Sequence, residues 1–258
     1  MTDPVLTSIQ DGVGVLELNR PDKFNCLSSA IVAGIDDALT AFERDRAVRA
    51  VLIRAKGKNF CTGADLDEVL AARKDKNDLT AFIVGGHRLL RRLEESRLPV
   101  VAAVQGLCLA GGLELMMSCD VVFAAHSARI GCQHARYGLV PGWGGTQRLP
   151  RLVGLRRALD LMYSGRWLTA AEALAFGLVN HVAADDVMAN SAADYCAALA
   201  RKSADGLATM KRLARSGIDE TLPDGLALEQ GAVVDALMSR DVSEGLAAFQ
   251  GRREPQFQ

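Results

Sequence analysis

The sequence lacks the features that announce several functional classes. No C-x-x-C pair occurs among its six cysteines, Cys26, Cys61, Cys108, Cys119, Cys132 and Cys196. Scattered through a chain of this size, they read as reduced thiols of a cytoplasmic compartment rather than a disulfide framework. There is no basic block, and the formal net charge is −1, which removes the electrostatic footprint expected of a nucleic-acid binder. No apolar run approaches the ~20 residues of a membrane-spanning helix. The opening "MTDPVLTSIQDG" has no apolar core of the kind a secretory signal needs, so neither a signal nor a membrane partner is expected. G-x-S-x-G, the mark of a serine nucleophile on a sharp strand-to-helix turn, is missing. "DGVGVLELNR" offers only G-x-G, inside a strand pattern, where a dinucleotide fold needs G-x-G-x-x-G after the strand.

What is present is an ordinary globular composition, with 49% hydrophobic and 24% charged residues in 258. That length suits one large domain, or a domain with an appendage. "GVGVLELNRP" alternates apolar and polar positions and stops at Pro21, as a strand does. "SSAIVAGIDDALTAFERD" places Ile31, Ile35, Leu39 and Phe42 on one helical face, with Ser28 or Ser29 as cap. "RAVLIRA" and "DVVFAA" are further strands. "PVVAAVQGLCLA" reads as one nearly all-apolar strand, covered on both faces as parallel strands are. "LTAAEALAFGLVN" carries Thr169 and Glu172 at capping-box spacing and Gly177 near its end. Beyond about Asp185 only helix patterns remain. The expectation is an α/β core with parallel pairing over residues 1–195 and a C-terminal helical region over 196–258.

Three loops follow strands: "GKNFCTGADLDEVL", "GLCLAGGLELMMSCD" and "GCQHARYGLVPGWGGTQRLP". Ligands of open α/β folds bind beyond the carboxyl ends of strands, so these loops can share a site. In the second, Gly111 and Gly112 admit close backbone approach where a helix begins, and unpaired N–H groups there favour negative charge. Glu114 follows Gly111 by almost one turn. A carboxylate beside an anion-holding N–H suits proton abstraction next to a carbonyl; the competing reading is a solvated first-turn Glu that complements the helix dipole. In the first loop Gly63 precedes Ala64, where a second N–H can turn outward and complete an oxyanion hole. A plain glycine turn before a helix capped by Asp65 is the alternative.

The ordered set "NRPDKFNCL", "FCTGADLDE", "PVVAAVQGLCLAGGLELMMSCD", "GLVPGWGGTQRLPRLVG" and "LTAAEALAFGLVNHV" resembles the enoyl-CoA hydratase/isomerase (crotonase) family across essentially the whole chain. The resemblance implies a spiral of ββα units and a C-terminal helical region that assembles a homotrimer, or a hexamer built as a dimer of trimers. It implies an acyl thioester of coenzyme A as substrate, with no metal, redox cofactor or other prosthetic group. Ala64 and Gly111 match the two backbone donors to the thioester oxygen, and Glu114 matches the first catalytic carboxylate. Lys23 and Phe24, with Ala64, Asp65 and Leu66, match the adenine-nucleotide contact region. Arg252 matches a basic C-terminal position that meets coenzyme A phosphate from a neighbouring subunit.

The chain departs from the hydratase pattern at one place. His134 stands where hydratases of this family carry their second glutamate. Hydration with His134 sharing water activation, isomerisation by Glu114 alone, and decarboxylation with His134 orienting a substrate carboxylate all pass through the same enolate. "HARYGLVPGWGGT" is also similar to the matching segment of ethylmalonyl-CoA-type decarboxylases. Trp143 and His87 are candidate walls of the acyl pocket, and Trp167 is assigned to the core. A zinc site at Cys132 and His134 lacks further ligands at workable spacing.

Overall fold

The computed structural model describes residues 3–257. β1 (Val5–Gln10) and β2 (Val13–Leu18) form an antiparallel hairpin closed by Asp11 and Gly12. Both turn residues have positive φ, 51° and 77°, the conformation a tight Asp-Gly hairpin turn requires. The polar opening segment is therefore an edge strand, which its composition concealed: only Val5 of β1 is buried.

β3 (Ala50–Ala55), β4 (Val100–Val104), β6 (Val121–Ala125) and β9 (His181–Ala183) extend the hairpin into a six-stranded sheet of order β1-β2-β3-β4-β6-β9. Every pairing after the hairpin is parallel. Alternation along the strands feeds two cores. Leu16, Leu18, Val51, Ile53, Val100 and Ala102 face one side with α1 (Ser29–Arg44) and α3 (Lys76–Glu95). Val13, Val15, Ala50, Leu52, Val101 and Ala103 face the other, against α8 (Met188–Ala200). Ser28 caps α1, its hydroxyl accepting from Ile31 N–H.

"PVVAAVQGLCLA" is two strands and not one. β4 ends at Val104, and β5 (Leu107–Leu109) joins a second sheet of order β5-β7-β8 with β7 (Arg129–Gly131) and β8 (Trp167–Thr169). The break lies at Gly106, whose φ is +55° and where a Cβ would fall 2.0 Å from the Lys58 carbonyl oxygen. The chain turns sharply there because only glycine fits. The pattern repeats: a long strand in the first sheet, a short one in the second, then a helix. β4 and β5 lead into α4 (Gly111–Met117), and β6 and β7 lead through a 3-10 turn into α5 (Gly145–Val153). This is the expected spiral of ββα units.

α6 (Leu155–Ser164) and α7 (Ala170–Phe176) follow, the latter opening with the Thr169–Glu172 capping box. The final helices are α9 (Ala204–Gly217), α10 (Leu222–Leu237) and α11 (Arg240–Gln250). The 195/196 division falls inside α8, and Cys196 is buried against the sheet, so α8 packs with the core and α9 opens the appendage. Trp167 is 42% exposed. On the edge strand β8 it alternates with buried Leu168, so its period-2 position turns it outward, which corrects its assignment to the core. Among the described residues no helix is long and apolar enough to cross a membrane.

Candidate active site

The three loops meet at the carboxyl ends of the strands. In the first, Leu27 N–H donates to Gly63 O at 2.7 Å and Asp65 N–H to Leu27 O at 2.9 Å. That strand-like bridge turns the Ala64 N–H the opposite way, and it has no protein partner among the described residues. In the second, Ala110 caps α4 with φ 50° and ψ −117°, a strained backbone for a residue with a Cβ, of the kind that costs about 1–3 kcal/mol and clusters at functional sites. Its N–H is held by Gly131 O at 3.0 Å and its carbonyl by Glu114 N–H at 3.1 Å. The Gly111 N–H at the first helical position is left without a partner among the described residues, as helix geometry dictates. A Cβ on Gly111 would lie 3.2 Å from Ala64 N, so the two free donors border one small space.

Glu114, one turn into α4, is 2% exposed. Its solvated first-turn reading is thereby set aside. The third loop holds it by one oxygen: Oε1 accepts from Trp143 N–H at 2.8 Å and Gly145 N–H at 2.7 Å. Oε2 faces His134 Nε2 at 3.9 Å. Burial raises the Glu114 carboxyl above its ordinary range, against the opposing pull of the Gly145 and Trp143 donors and of the Arg148 guanidinium. Burial also pushes the His134 imidazolium down. The separation exceeds a direct hydrogen bond, and desolvation disfavours the charged form of both groups, so the contact is not an ion pair. On its other side His134 Nδ1 contacts Cys132 Sγ at 3.4 Å. Burial pushes that thiol up to about 11, so it keeps its proton at neutral pH.

An ionic chain lies behind the third loop. Arg148 Nη1 donates to Trp143 O at 2.8 Å, while its Nε and Nη2 grip Glu94 of α3 at 2.7 Å each. Arg215 of α9 reaches Glu94 at 3.5 Å and Asp120 at 2.7 Å, and Lys211 reaches Asp120 at 2.7 Å. Sequence reading missed the roles of Arg148 and Glu94: Arg148 lies inside the "GWGGTQRLP" run, but its partner Glu94 is far away in the chain, in α3. It also missed the Trp143 and Gly145 N–H groups, for which the glycine run was the available signal.

The remaining candidates fall into two groups. Trp143 is buried against Gly86 and Phe82 of α3 and against Gly111. His87, the residue after Gly86, is exposed. A step of 100° around α3 turns it from the face that meets Trp143, so the acyl-pocket expectation passes to Gly86. Lys23 and Phe24 approach the start of α2 (Leu66–Ala72) through a Lys23–Asp67 contact of 3.4 Å, and both Phe24 and Leu66 are exposed. The Asp65 side chain is engaged inward, capping Asp67 N–H and pairing with Arg20 at 2.9 Å. Arg252 is exposed near the C-terminus, with φ 50°.

Residues 8–258 match the family model described as Enoyl-CoA hydratase/isomerase. A protein of Rhizobium meliloti named "Probable enoyl-CoA hydratase" is 35% identical over 99% of this chain and 98% of its own length. A mouse protein named "Enoyl-CoA hydratase domain-containing protein 2, mitochondrial" is 36% identical over 98% of this chain and 86% of its own. The crystal structure of an enoyl-CoA hydratase from Bacillus anthracis superposes with a TM-score of 0.94 at 32% identity, covering 98% of each chain. That of an enoyl-CoA hydratase from Polaromonas sp. JS666 gives 0.95 at 30% identity, covering 98% of this chain and 99% of that one. With its ββα spiral and near-complete coverage, the chain belongs to the enoyl-CoA hydratase/isomerase family.

Proposed function

We propose that the protein acts on acyl thioesters of coenzyme A through an enolate, as a hydratase or isomerase, with Glu114 as the acid–base carboxylate. The single observation that carries this reading is the convergence of two N–H groups without a partner among the described residues, Ala64 and Gly111, at the start of the helix that carries the buried Glu114 carboxyl one turn on. Donors aimed at a developing oxyanion stabilise it in a water-poor site without reorganisation.

In hydration, the Cys132 thiol donates to His134 Nδ1, which leaves the imidazole proton on Nε2. A water then accepts from Nε2–H and donates to Glu114 Oε2; two hydrogen bonds of about 2.8 Å close a triangle over the 3.9 Å gap. Glu114 takes the water proton as the oxygen bonds to Cβ of the enoyl thioester. The double-bond electrons move to the thioester oxygen under Ala64 and Gly111, and Glu114 returns the proton to Cα. Isomerisation uses Glu114 alone, removing a proton at one carbon and returning it at another. Decarboxylation is a second reading, favoured by a neutral imidazole donor beside Glu114, which suits a substrate carboxylate. No prosthetic group enters any of these schemes; coenzyme A is part of the substrate. Lys23, Phe24 and Leu66 are proposed to meet its adenine end, with the Asp65 backbone beside them and Arg252 contributed by a neighbouring subunit.

Assembly into a homotrimer, or a hexamer of paired trimers, is supported by apolar side chains left exposed on the terminal helices, Leu222, Val234, Leu237, Met238, Leu246 and Phe249 among them. A cytoplasmic location is supported by the unpaired state of all six cysteines. Steady-state assays on crotonyl-CoA, a 3-enoyl-CoA and an alkylmalonyl-CoA separate the three reactions. Binding of thioesters without turnover of any would indicate a silent paralogue, and no binding at all would overturn the reading.

A further inference from the structure

Trp143 is the largest side chain of the glycine-rich loop, and it is 3% exposed. Two glycines on different helices make room for its ring. A Cβ on Gly86 of α3 would fall 2.2 Å from both Nε1 and Cε2 of the indole, and one on Gly111 of α4 would fall 3.0 Å from Cζ3. Phe82, one turn before Gly86, lays its ring against the indole with centroids 5.4 Å apart. Ile83 touches the same loop, its Cδ1 lying 3.3 Å from where a Cβ on Gly142 would be. The ring is therefore backed by α3 and has no room to retreat in that direction.

Its opposite edge reaches the reaction centre. The point 3.0 Å from Trp143 Cζ3 is also 3.2 Å from Ala64 N, so the indole edge borders the space in front of the oxyanion donors. An acyl group whose oxygen sits between Ala64 and Gly111 therefore starts from the space that this edge borders. The indole Nε1 is buried without a hydrogen-bond partner among the described residues, a cost a phenylalanine would not carry. It is turned toward Gly86, so polarity does not explain a tryptophan here. The reach of its second ring, from α3 to Gly111, does.

We infer that Trp143 closes the acyl end of the site and restricts the enzyme to short acyl chains such as butyryl and crotonyl, with Gly86 as the notch that holds the indole in place. The inference rests on the acyl-CoA reading above and adds a substrate class to it. A pocket edge that meets surplus methylenes discriminates through a few lost contacts, commonly about tenfold or more.

Calorimetric binding of butyryl-CoA and decanoyl-CoA, saturated thioesters that need no turnover, tests this on the wild type, Trp143→Ala and Trp143→Phe. The wild type is expected to bind butyryl-CoA at least about tenfold more tightly than decanoyl-CoA. Trp143→Ala should erase or invert that preference, and Trp143→Phe should fall between. If Trp143→Ala does not fold, the phenylalanine variant, which keeps a ring, carries the comparison. Equal wild-type affinities, or a preference unchanged in the folded variants, overturn the inference while the acyl-CoA reading stands. Failure of the wild type to bind either thioester overturns both.

Discussion

Glu114 Oε2 and His134 Nε2 face each other at 3.9 Å, too far for a direct hydrogen bond and a span that the proposed water would bridge. His134→Ala removes the donor side of that bridge. Turnover should fall at least about tenfold, equivalent to about 1.4 kcal/mol of barrier, while thioester affinity changes little. Equal turnover in the variant would make His134 a packing residue and leave Glu114 to work alone.

The tautomer of His134 is a separate expectation. The Cys132 thiol, pushed up to about 11, keeps its proton at neutral pH, and the proposed handling of water requires it to donate across the 3.4 Å contact to Nδ1, with the imidazole proton on Nε2. Nitrogen-15 chemical shifts of labelled His134 should report Nε2–H in the wild type and a mixture in Cys132→Ala, in which Nδ1 loses its donor. A predominant Nδ1–H signal in the wild type would contradict the proposed handling of water.

Glu114→Gln tests the chemistry and the burial together. Loss of the base should lower turnover by about 10²–10⁴-fold. Stability should move the other way. A carboxyl whose folded pKa is raised stabilises the fold most below its unfolded pKa, and that contribution is lost as pH rises through the folded value. Glutamine keeps an oxygen for the Trp143 and Gly145 donors and carries no charge. The variant's melting temperature should therefore exceed that of the wild type at pH 8, by a margin that shrinks toward pH 4. A margin independent of pH would show that ionised Glu114 costs the fold nothing.

Gly111→Ala probes the oxyanion donors. The new methyl would lie 3.2 Å from Ala64 N and 3.0 Å from Trp143 Cζ3, in the space assigned to the thioester oxygen. Alanine keeps the backbone N–H, but its methyl would hold the oxygen off the donors; a donor that fails to reach the oxyanion costs about 10²–10³-fold in kcat in acyl-transfer enzymes, and obstruction of the site should weaken thioester binding as well. A variant that folds and retains wild-type kcat/KM would move the thioester oxygen elsewhere.

Local features of this site were legible in the sequence, and features made by long-range packing were not. Gly111 and Glu114 lie one helical turn apart, so spacing alone relates them. The Thr169–Glu172 capping box and the parallel strands are equally local patterns. The two-sheet path of "PVVAAVQGLCLA" depends on Lys58 crowding Gly106, which hydropathy does not encode. The expectation for Trp167 failed because a short edge strand exposes alternate positions whatever their hydrophobicity. The loop that presents Trp143 N–H to Glu114 is anchored from behind by a side chain inside the "GWGGTQRLP" run, whose partner in α3 no local pattern reveals.

That anchor is Arg148. Its guanidinium holds the Trp143 carbonyl and both oxygens of Glu94, which fixes the Trp143–Gly144 peptide between the two peptides whose N–H groups, those of Trp143 and Gly145, point at Glu114. Lysine cannot supply this planar, three-way geometry. Arg148→Lys should lower kcat more than it changes KM, because the loop would position Glu114 less well while the thioester donors stay in place. Arg148→Met also removes the nearby cation that favours the Glu114 carboxylate. The sign follows: the carboxyl rises further, and the acid limb of the kcat profile shifts to higher pH in Arg148→Met, with Arg148→Lys closer to the wild type. Glu94→Gln should reproduce part of the kcat loss, and the Arg148→Met/Glu94→Gln double variant should lose less than the product of the two single losses, since both act through one contact. Multiplicative losses with an unmoved acid limb would show that Arg148 stabilises the fold without positioning the catalytic carboxylate.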